Sequence, residues 1–175
     1  MDFDSYGNSA PGIHRIEYSE LETEFVANFP ESLTRRRNLE GLLNYLKMPF
    51  FVNHKQAFTR LWIDGSFTTS KQNPNDIDGI IFINPNELGL EETKVLIDQF
   101  YDTIKSHGSL FKSDLYMAID IDVLVPPDSG DHFYQEYYQQ IDFQFKYWMG
   151  QFCFDRNRKP KGVFELDYKR EGFSC

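Results

Sequence analysis

The amino-acid sequence predicts a mixed α/β (α+β) domain in which a small mixed β-sheet is flanked by helices. Apolar runs of strand length occupy 57–63, 76–83 and 115–125. Segments with apolar residues three or four positions apart, the spacing of a helix face, precede, separate and follow these runs. The 175 residues suit one domain with its own core. We expect that single domain over 13–175, after a flexible polar start at 1–12.

Two helices are predicted before the first strand. Over 18–29, the spacing of Ser19 and Glu22 fits a capping box, and apolar residues recur at helical intervals. A second helix is predicted over 30–47, because Pro30 suits a first helical turn and leucines supply one apolar face.

The remaining elements follow the strand at 76–83. A helix is predicted over 90–107, with Gly108 as its C-terminal stop, and it would cross back over the sheet to the strand at 115–125. A long aromatic helix over 131–154 would face the core or a second copy in a homodimer. A last strand is predicted over 163–167.

The stretch 61–84, LWIDGSFTTSKQNPNDIDGIIFIN, carries the chemistry. An apolar run ends in Gly65 and Ser66, and after nine residues Asp76 and Asp78 open the next run. In a strand these two aspartates leave on the same face, where their charges repel unless a cation lies between them. Mg²⁺ takes such oxygen ligands, and a glycine followed by a hydroxyl suits an approaching phosphate. The pattern indicates a metal-bound nucleoside triphosphate, whereas in a simple polar hairpin the aspartates would cap turns or face solvent.

A Gly-Ser pair, nine residues and Asp-x-Asp between two apolar strands resembles the signature of the DNA polymerase β-like nucleotidyltransferase superfamily. The resemblance implies a nucleotidyltransferase fold and catalysis with two Mg²⁺ or Mn²⁺ ions. Asp76 and Asp78 would hold both ions and the triphosphate. Gly65 and Ser66 would bind the β- and γ-phosphates, with Lys71 as an additional contact from the connecting loop.

The same resemblance implies a third carboxylate on a strand next to the Asp-x-Asp strand. In the run at 115–125, Asp120 and Asp122 share one face. Either could be the third catalytic and metal-binding carboxylate, and we favour Asp120. The alternative is that both are charges on an edge strand that discourage aggregation.

Two basic clusters are candidates for phosphate contacts. One lies in the second predicted helix, where an exposed face is the ordinary interpretation and a reach to a nucleotide phosphate is the functional one. The other could be a solvated turn, or it could neutralise triphosphate charge, with Arg156 and Lys161 as our candidates. The clusters are Arg35, Arg36 and Arg37, and Arg156, Arg158, Lys159 and Lys161.

Composition excludes several classes of protein. The net charge of −9 argues against a protein that holds long nucleic acid through its overall field. No apolar run approaches the roughly eighteen residues of a membrane span, and the first residues lack the pattern of a signal peptide, so we expect a cytoplasmic protein with no membrane partner. Cys153 and Cys175 form neither a disulfide framework nor a zinc site, and we expect one packed and one exposed.

Nearly the full length also resembles an uncharacterised bacterial and phage-associated branch of compact nucleotidyltransferase-like proteins. The matching segments are PGIH, SELETEF, DGSFTTSKQNPNDID and YWMGQFCFDRNRKPKGVFEL. The implied reaction transfers a nucleoside monophosphate from a nucleoside triphosphate, ATP among them, to a protein, RNA or oligonucleotide acceptor and releases pyrophosphate. By analogy, the setting would be a toxin–antitoxin or phage-defence system with an operon partner. The alternatives are a catalytically silent, antitoxin-like module that binds nucleotide, and another metal-dependent phosphotransfer or hydrolysis.

Overall fold

A computed structural model describes residues 1–127, 131–171 and 173. Within these residues, one mixed sheet contains five strands: β1 (Gly12–Arg15), β2 (Phe58–Asp64), β3 (Ile77–Ile83), β4 (Ser113–Ile119) and β5 (Gly162–Asp167). Their spatial order is β1-β5-β2-β3-β4. β1 is parallel to β5, β2 is antiparallel to both β5 and β3, and β4 is parallel to β3.

Helices lie between most of these strands and after the last one. They are α1 (Tyr18–Glu22), α2 (Arg35–Leu46), α3 (Pro49–Asn53), α4 (Leu90–Gln99), α5 (His132–Phe152) and α6 (Tyr168–Glu171). α1 continues as a π-helical turn, Thr23–Ala27, and α4 continues as a π-helical turn, Phe100–Ile104, and a 3₁₀ segment, Lys105–Phe111. No helix in the described part of the chain has both the length and the apolarity to cross a membrane.

The sheet is covered on both faces. Leu61 and Ile63 of β2 pack into a large core with residues of α1 to α4, whereas Trp62 between them packs into a second core beneath α5. All three side chains are fully buried. Each such burial stabilises the fold by roughly 1.5–3 kcal/mol, so the alternation along β2 fixes which helices lie on which face.

The predicted mixed sheet flanked by helices is confirmed, but the predicted strand at 115–125 is wrong at both ends. β4 begins at Ser113 and stops at Ile119. The Asp120 carboxylate then accepts the backbone N–H of Asp122 at 3.1 Å, which starts the 3₁₀ turn Ile121–Val123. A side chain that satisfies its own backbone in this way ends a strand.

The two N-terminal helices also begin elsewhere than predicted. The capping box of α1 joins Glu17 and Glu20 instead of Ser19 and Glu22. The second helix begins at Arg35, five residues later than predicted.

The N-terminal residues, which we expected to be flexible, contact the body of the domain. Phe3 packs against the large core, and Asn8 forms an isolated bridge with Thr69. Cys153 is half-buried, and Cys175 lies outside the described residues.

Candidate functional site

A cavity of about 780 Å³ opens at one end of the sheet, where β2 ends and β3 and β4 begin. Asp64 of β2 is the cross-strand partner of Asp78 on β3, and Asp78 is in turn the partner of Asp114 on β4. Directly opposite residues on neighbouring strands share a face, with strands spaced by about 4.8 Å. Three carboxylates therefore stand in a row at the cavity, and Asp76 joins them from just before β3.

Position 65 requires glycine, because the turn that begins there lies very close to Asp78. Its φ of +80° is a conformation that residues with a side chain rarely adopt. A Cβ placed there would stand 1.8 Å from Asp78 Oδ2. The 3₁₀ turn Gly65–Thr68 can thus lie directly against the carboxylate, and Gly65 and Ser66 both line the cavity.

Arg35, the first residue of α2, supports the loop that follows this turn. Its guanidinium is fully buried and donates to four backbone carbonyls: Phe25 at 2.9 Å, and Phe67, Thr69 and Lys71 at 2.6 Å each. Burial lowers the pKa of Arg35 to about 10, so it remains charged at neutral pH.

Neither interpretation of the arginine run applied to Arg35, which is neither on a solvated face nor at the cavity. Its neighbours Arg36 and Arg37 are both exposed, and Arg36 pairs with Glu22 at 3.1 Å. Three consecutive arginines look alike in sequence. A signal was nevertheless present, since Leu39, Leu42 and Leu46 follow Arg35 by four, seven and eleven residues, a spacing that places Arg35 on their apolar face of the helix.

Lys161, immediately before β5, forms an ion pair with Asp64 inside the cavity wall. Lys161 Nζ lies 2.9 Å from Asp64 Oδ2, and both side chains are at least nine-tenths buried. Burial raises the pKa of Asp64 to about 7, although the Lys161 ammonium acts in the opposite direction. Lys161 therefore lines the cavity, but part of its charge is already used to neutralise Asp64.

Asp114 is the acidic residue on β4 that faces the cavity, and the sequence analysis missed it. Lys105 Nζ lies 2.5 Å from its Oδ1, and the Tyr116 hydroxyl donates to its Oδ2 at 3.0 Å. Burial raises the pKa of Tyr116 to about 12, and its hydrogen bond to Asp114 acts in the same direction. Lys105 and Tyr116 therefore hold the Asp114 carboxylate in place.

Asp120 and Asp122, our candidates for the third carboxylate, do not reach the cavity. Asp120 is six residues beyond Asp114, about 20 Å along an extended strand. There, Asp120 and Asp122 pair with Arg60 at 2.6 and 2.7 Å. Alternation along the strand cannot separate Asp114 from Asp120, because both occupy even positions of one run. The direction of β4 relative to β3 does separate them. A strand parallel to β3 starts beside the start of β3, so the acid next to Asp78 had to lie at the beginning of β4.

The basic turn near the C-terminus divides between the cavity and the surface. Arg156 and Lys161 line the cavity, whereas Lys159 lies over the Tyr6 ring at 4.9 Å. Lys71 lines the cavity from the loop after Ser66.

A comparison with protein-family models assigns this chain to a family. A model described as a family of unknown function (DUF6932) matches residues 1–167. The chain belongs to DUF6932. No curated protein and no solved structure matched it. The matched range contains all the cavity residues described above.

The cavity of this DUF6932 chain has an excess of negative charge. Among the described residues that line it, five are aspartates, and the cations are Lys71, Arg156 and Lys161. Within the same described residues, neither the Asp76 nor the Asp78 side chain forms a hydrogen bond or an ion pair. Burial raises the pKa of Asp78, and the charges of Asp76 and Asp114 raise it further. An added cation between them would relieve this repulsion.

The donor set fits Mg²⁺ in part. All the candidate ligands are carboxylate oxygens, which this ion prefers. In the described part of the chain, no three acidic, histidine or cysteine side chains already converge into a complete metal site. Asp76 and Asp78 would thus supply protein ligands, and phosphate oxygens and water would supply the rest, as is usual for Mg²⁺ beside a nucleotide.

Proposed function

We propose that this DUF6932 protein is a Mg²⁺-dependent nucleotidyltransferase of the DNA polymerase β-like type. It would transfer a nucleoside monophosphate from a nucleoside triphosphate to an acceptor hydroxyl. The acceptor's hydroxyl loses its proton to water, its oxygen forms a new bond to the α-phosphorus, the bond from that phosphorus to the bridging oxygen breaks, and pyrophosphate leaves. Mn²⁺ could replace Mg²⁺.

One observation carries this proposal: the half-buried Asp76 and Asp78 carboxylates face the cavity beside the Gly65 turn, and neither has a partner among the described residues. Unpaired, adjacent carboxylates destabilise a fold by mutual repulsion and desolvation. A divalent cation that carries a triphosphate would neutralise them. The row of Asp64, Asp78 and Asp114 on adjacent strands adds support, because the superfamily signature calls for a third carboxylate on a neighbouring strand.

One set of side chains would bind the metal, and another would bind the phosphates. Asp76 and Asp78 would hold the metal, with Asp114 as the third carboxylate in place of Asp120 or Asp122. The metal, when bound, would supply Lewis-acid stabilisation of the phosphates and lower the pKa of the attacking hydroxyl.

The phosphate-binding groups would come from the other wall of the cavity. The Gly65 turn and the Ser66 hydroxyl would bind the β- and γ-phosphates, because a glycine turn lets backbone N–H groups come close to an anion. Lys71 and Arg156 line the cavity and would neutralise the charge of the departing pyrophosphate.

One contact favours a second candidate, a nucleotide-binding module without turnover. Lys105 Nζ already neutralises Asp114 at 2.5 Å, so this carboxylate is not free to accept a metal unless Lys105 moves. A chain that bound metal and nucleotide through Asp76 and Asp78 alone would bind nucleotide without turnover.

The test is incubation of the purified protein with each α-labelled nucleoside triphosphate and Mg²⁺ or Mn²⁺, alone and with cell extract. The transferase predicts label in protein, RNA or an oligonucleotide, with equal release of pyrophosphate, and loss of both in Asp76→Asn and Asp78→Asn. The matched control is Asp122→Asn, which removes an exposed carboxylate outside the cavity and should keep activity. Binding of nucleotide with no transfer under any condition favours the module, and orthophosphate as the product refutes nucleotidyl transfer.

A further inference from the structure

Aromatic side chains line the same cavity on the side formed by α5. Tyr147 and Trp148 come from the last two turns of α5, and Phe154 follows the helix. Tyr147 is 52% exposed and Phe154 is 44% exposed, so both offer ring surface to the cavity. Residues of the cavity therefore divide into an acidic part, from the strand ends, and an aromatic part.

Ring contacts connect the two parts. The Tyr147 and Trp148 ring centroids are 5.1 Å apart, and those of Trp148 and Tyr116 are 4.7 Å apart. The Tyr116 hydroxyl donates to Asp114 at 3.0 Å. An aromatic surface thus begins one side chain away from the row of carboxylates, close enough for one ligand to span both.

A polar group accompanies the rings. Gln151 lies four residues after Tyr147 and three after Trp148, so the three share one face of α5, and Gln151 also lines the cavity. An amide offers both a donor and an acceptor, which suits the edge of a heterocyclic base.

We propose that the Tyr147–Trp148 surface binds the nucleobase of the substrate. The inference rests on the proposed function and narrows it: the ligand is a nucleotide, with its base stacked on α5 and its phosphates at the Gly65 turn, and not an inorganic or sugar phosphate. Every base has a π-face, so stacking here supplies affinity for purines and pyrimidines alike. Gln151 would hydrogen-bond the edge of whichever base is bound.

The test uses calorimetric binding with Mg²⁺ of inorganic tripolyphosphate and of the α,β-methylene analogues of ATP and CTP. The methylene bridge replaces the oxygen that transfer would release, so binding is measured without turnover. The parent protein should bind both nucleotide analogues at least tenfold more tightly than tripolyphosphate. Tyr147→Ala should weaken the analogues roughly ten- to hundredfold, the range of one stacked base, and leave tripolyphosphate affinity within twofold.

Two matched variants separate stacking from damage to the helix. Tyr147→Phe keeps the ring and should retain nucleotide affinity. Phe143→Ala removes a ring that is 73% exposed on the same helix but outside the cavity, and it should change neither affinity. Trp62 is fully buried, so quenching of tryptophan fluorescence by the analogues should come from Trp148 and disappear in Trp148→Phe.

The other results overturn the inference in distinguishable ways. Equal affinity of the parent for tripolyphosphate and nucleotide, or an unchanged affinity in Tyr147→Ala, removes the base site and leaves the transferase proposal standing. A parallel loss of both ligands in Tyr147→Ala indicates general damage and removes the base site as well. If neither ligand binds the parent protein, the proposed function fails, and this inference fails with it.

Discussion

Replacement of Arg35 by methionine is expected to lower the free energy of unfolding by about 4 kcal/mol. The guanidinium is fully buried, and four carbonyls would lose their donors. A hydrogen bond from a charged donor contributes about 1.5–3 kcal/mol, and relaxation or an entering water recovers part of the loss. For a domain of this size, the expected decrease in Tm is roughly 8–16 °C.

The assay is urea unfolding followed by circular dichroism, with Arg36→Met as the matched control. Arg36 is 62% exposed and pairs with the exposed Glu22, so its loss should cost no more than about 0.5 kcal/mol. Arg35→Lys should fall between the two, because one ammonium cannot serve four carbonyls. Equal losses in Arg35→Met and Arg36→Met would refute the claim that the buried guanidinium supports the loop after Gly65.

Three further predictions concern the cavity and the strand that leads from it. Asp114→Asn should abolish Mn²⁺-dependent transfer with little loss of stability. Asp120→Asn should cost about 1–3 kcal/mol in urea unfolding, because it weakens the bonds that a buried carboxylate accepts from Arg60 and the Thr59 hydroxyl, although Asp122 and Glu165 still pair with Arg60; the reverse pattern would restore our sequence-based choice. Gly65→Ala should eliminate nucleotide binding in calorimetry, because its Cβ would collide with an Asp78 oxygen; unchanged binding would contradict that geometry. The raised pKa of Asp64, about 7 against 3.8 in the unfolded chain, means that the folded state holds the proton more tightly. Stability should therefore fall as the pH rises from about 4 to 7, and Asp64→Asn should reduce that fall in urea titrations across this range.

The sequence predicted the strands on either side of the motif because their cues are local. The segments before Gly65 and after Asp76 are short apolar runs that polar or turn residues bound, and both became central strands. The end of β4 was not predictable by the same means, since alternation continues through Asp120 while the backbone has already turned.

We favoured Asp120, whereas Asp114 is the β4 residue that lies opposite Asp78, and the reason for this difference is physical. Which end of β4 lies beside Asp78 depends on whether the two strands are parallel, and that is a property of the connection and not of either strand. The helix predicted at 90–107 already implied a crossover connection. A crossover to a neighbouring strand favours parallel pairing, which would have directed attention from Asp120 to Asp114.

The pattern of paired and unpaired charges at the cavity shows which acids lack a cation, without reference to any resemblance. Lys161 pairs with Asp64, and Lys105 pairs with Asp114, so each of these two carboxylates already has a cation beside it. A fold selected for stability alone would pair or remove the two remaining carboxylates, because their repulsion opposes folding. Asp76 and Asp78 nevertheless lie half-buried beside a turn that only glycine can make, with no partner among the described residues. Because the repulsion between Asp76 and Asp78 is not relieved within the described residues, an external cation is expected to bind between these two carboxylates.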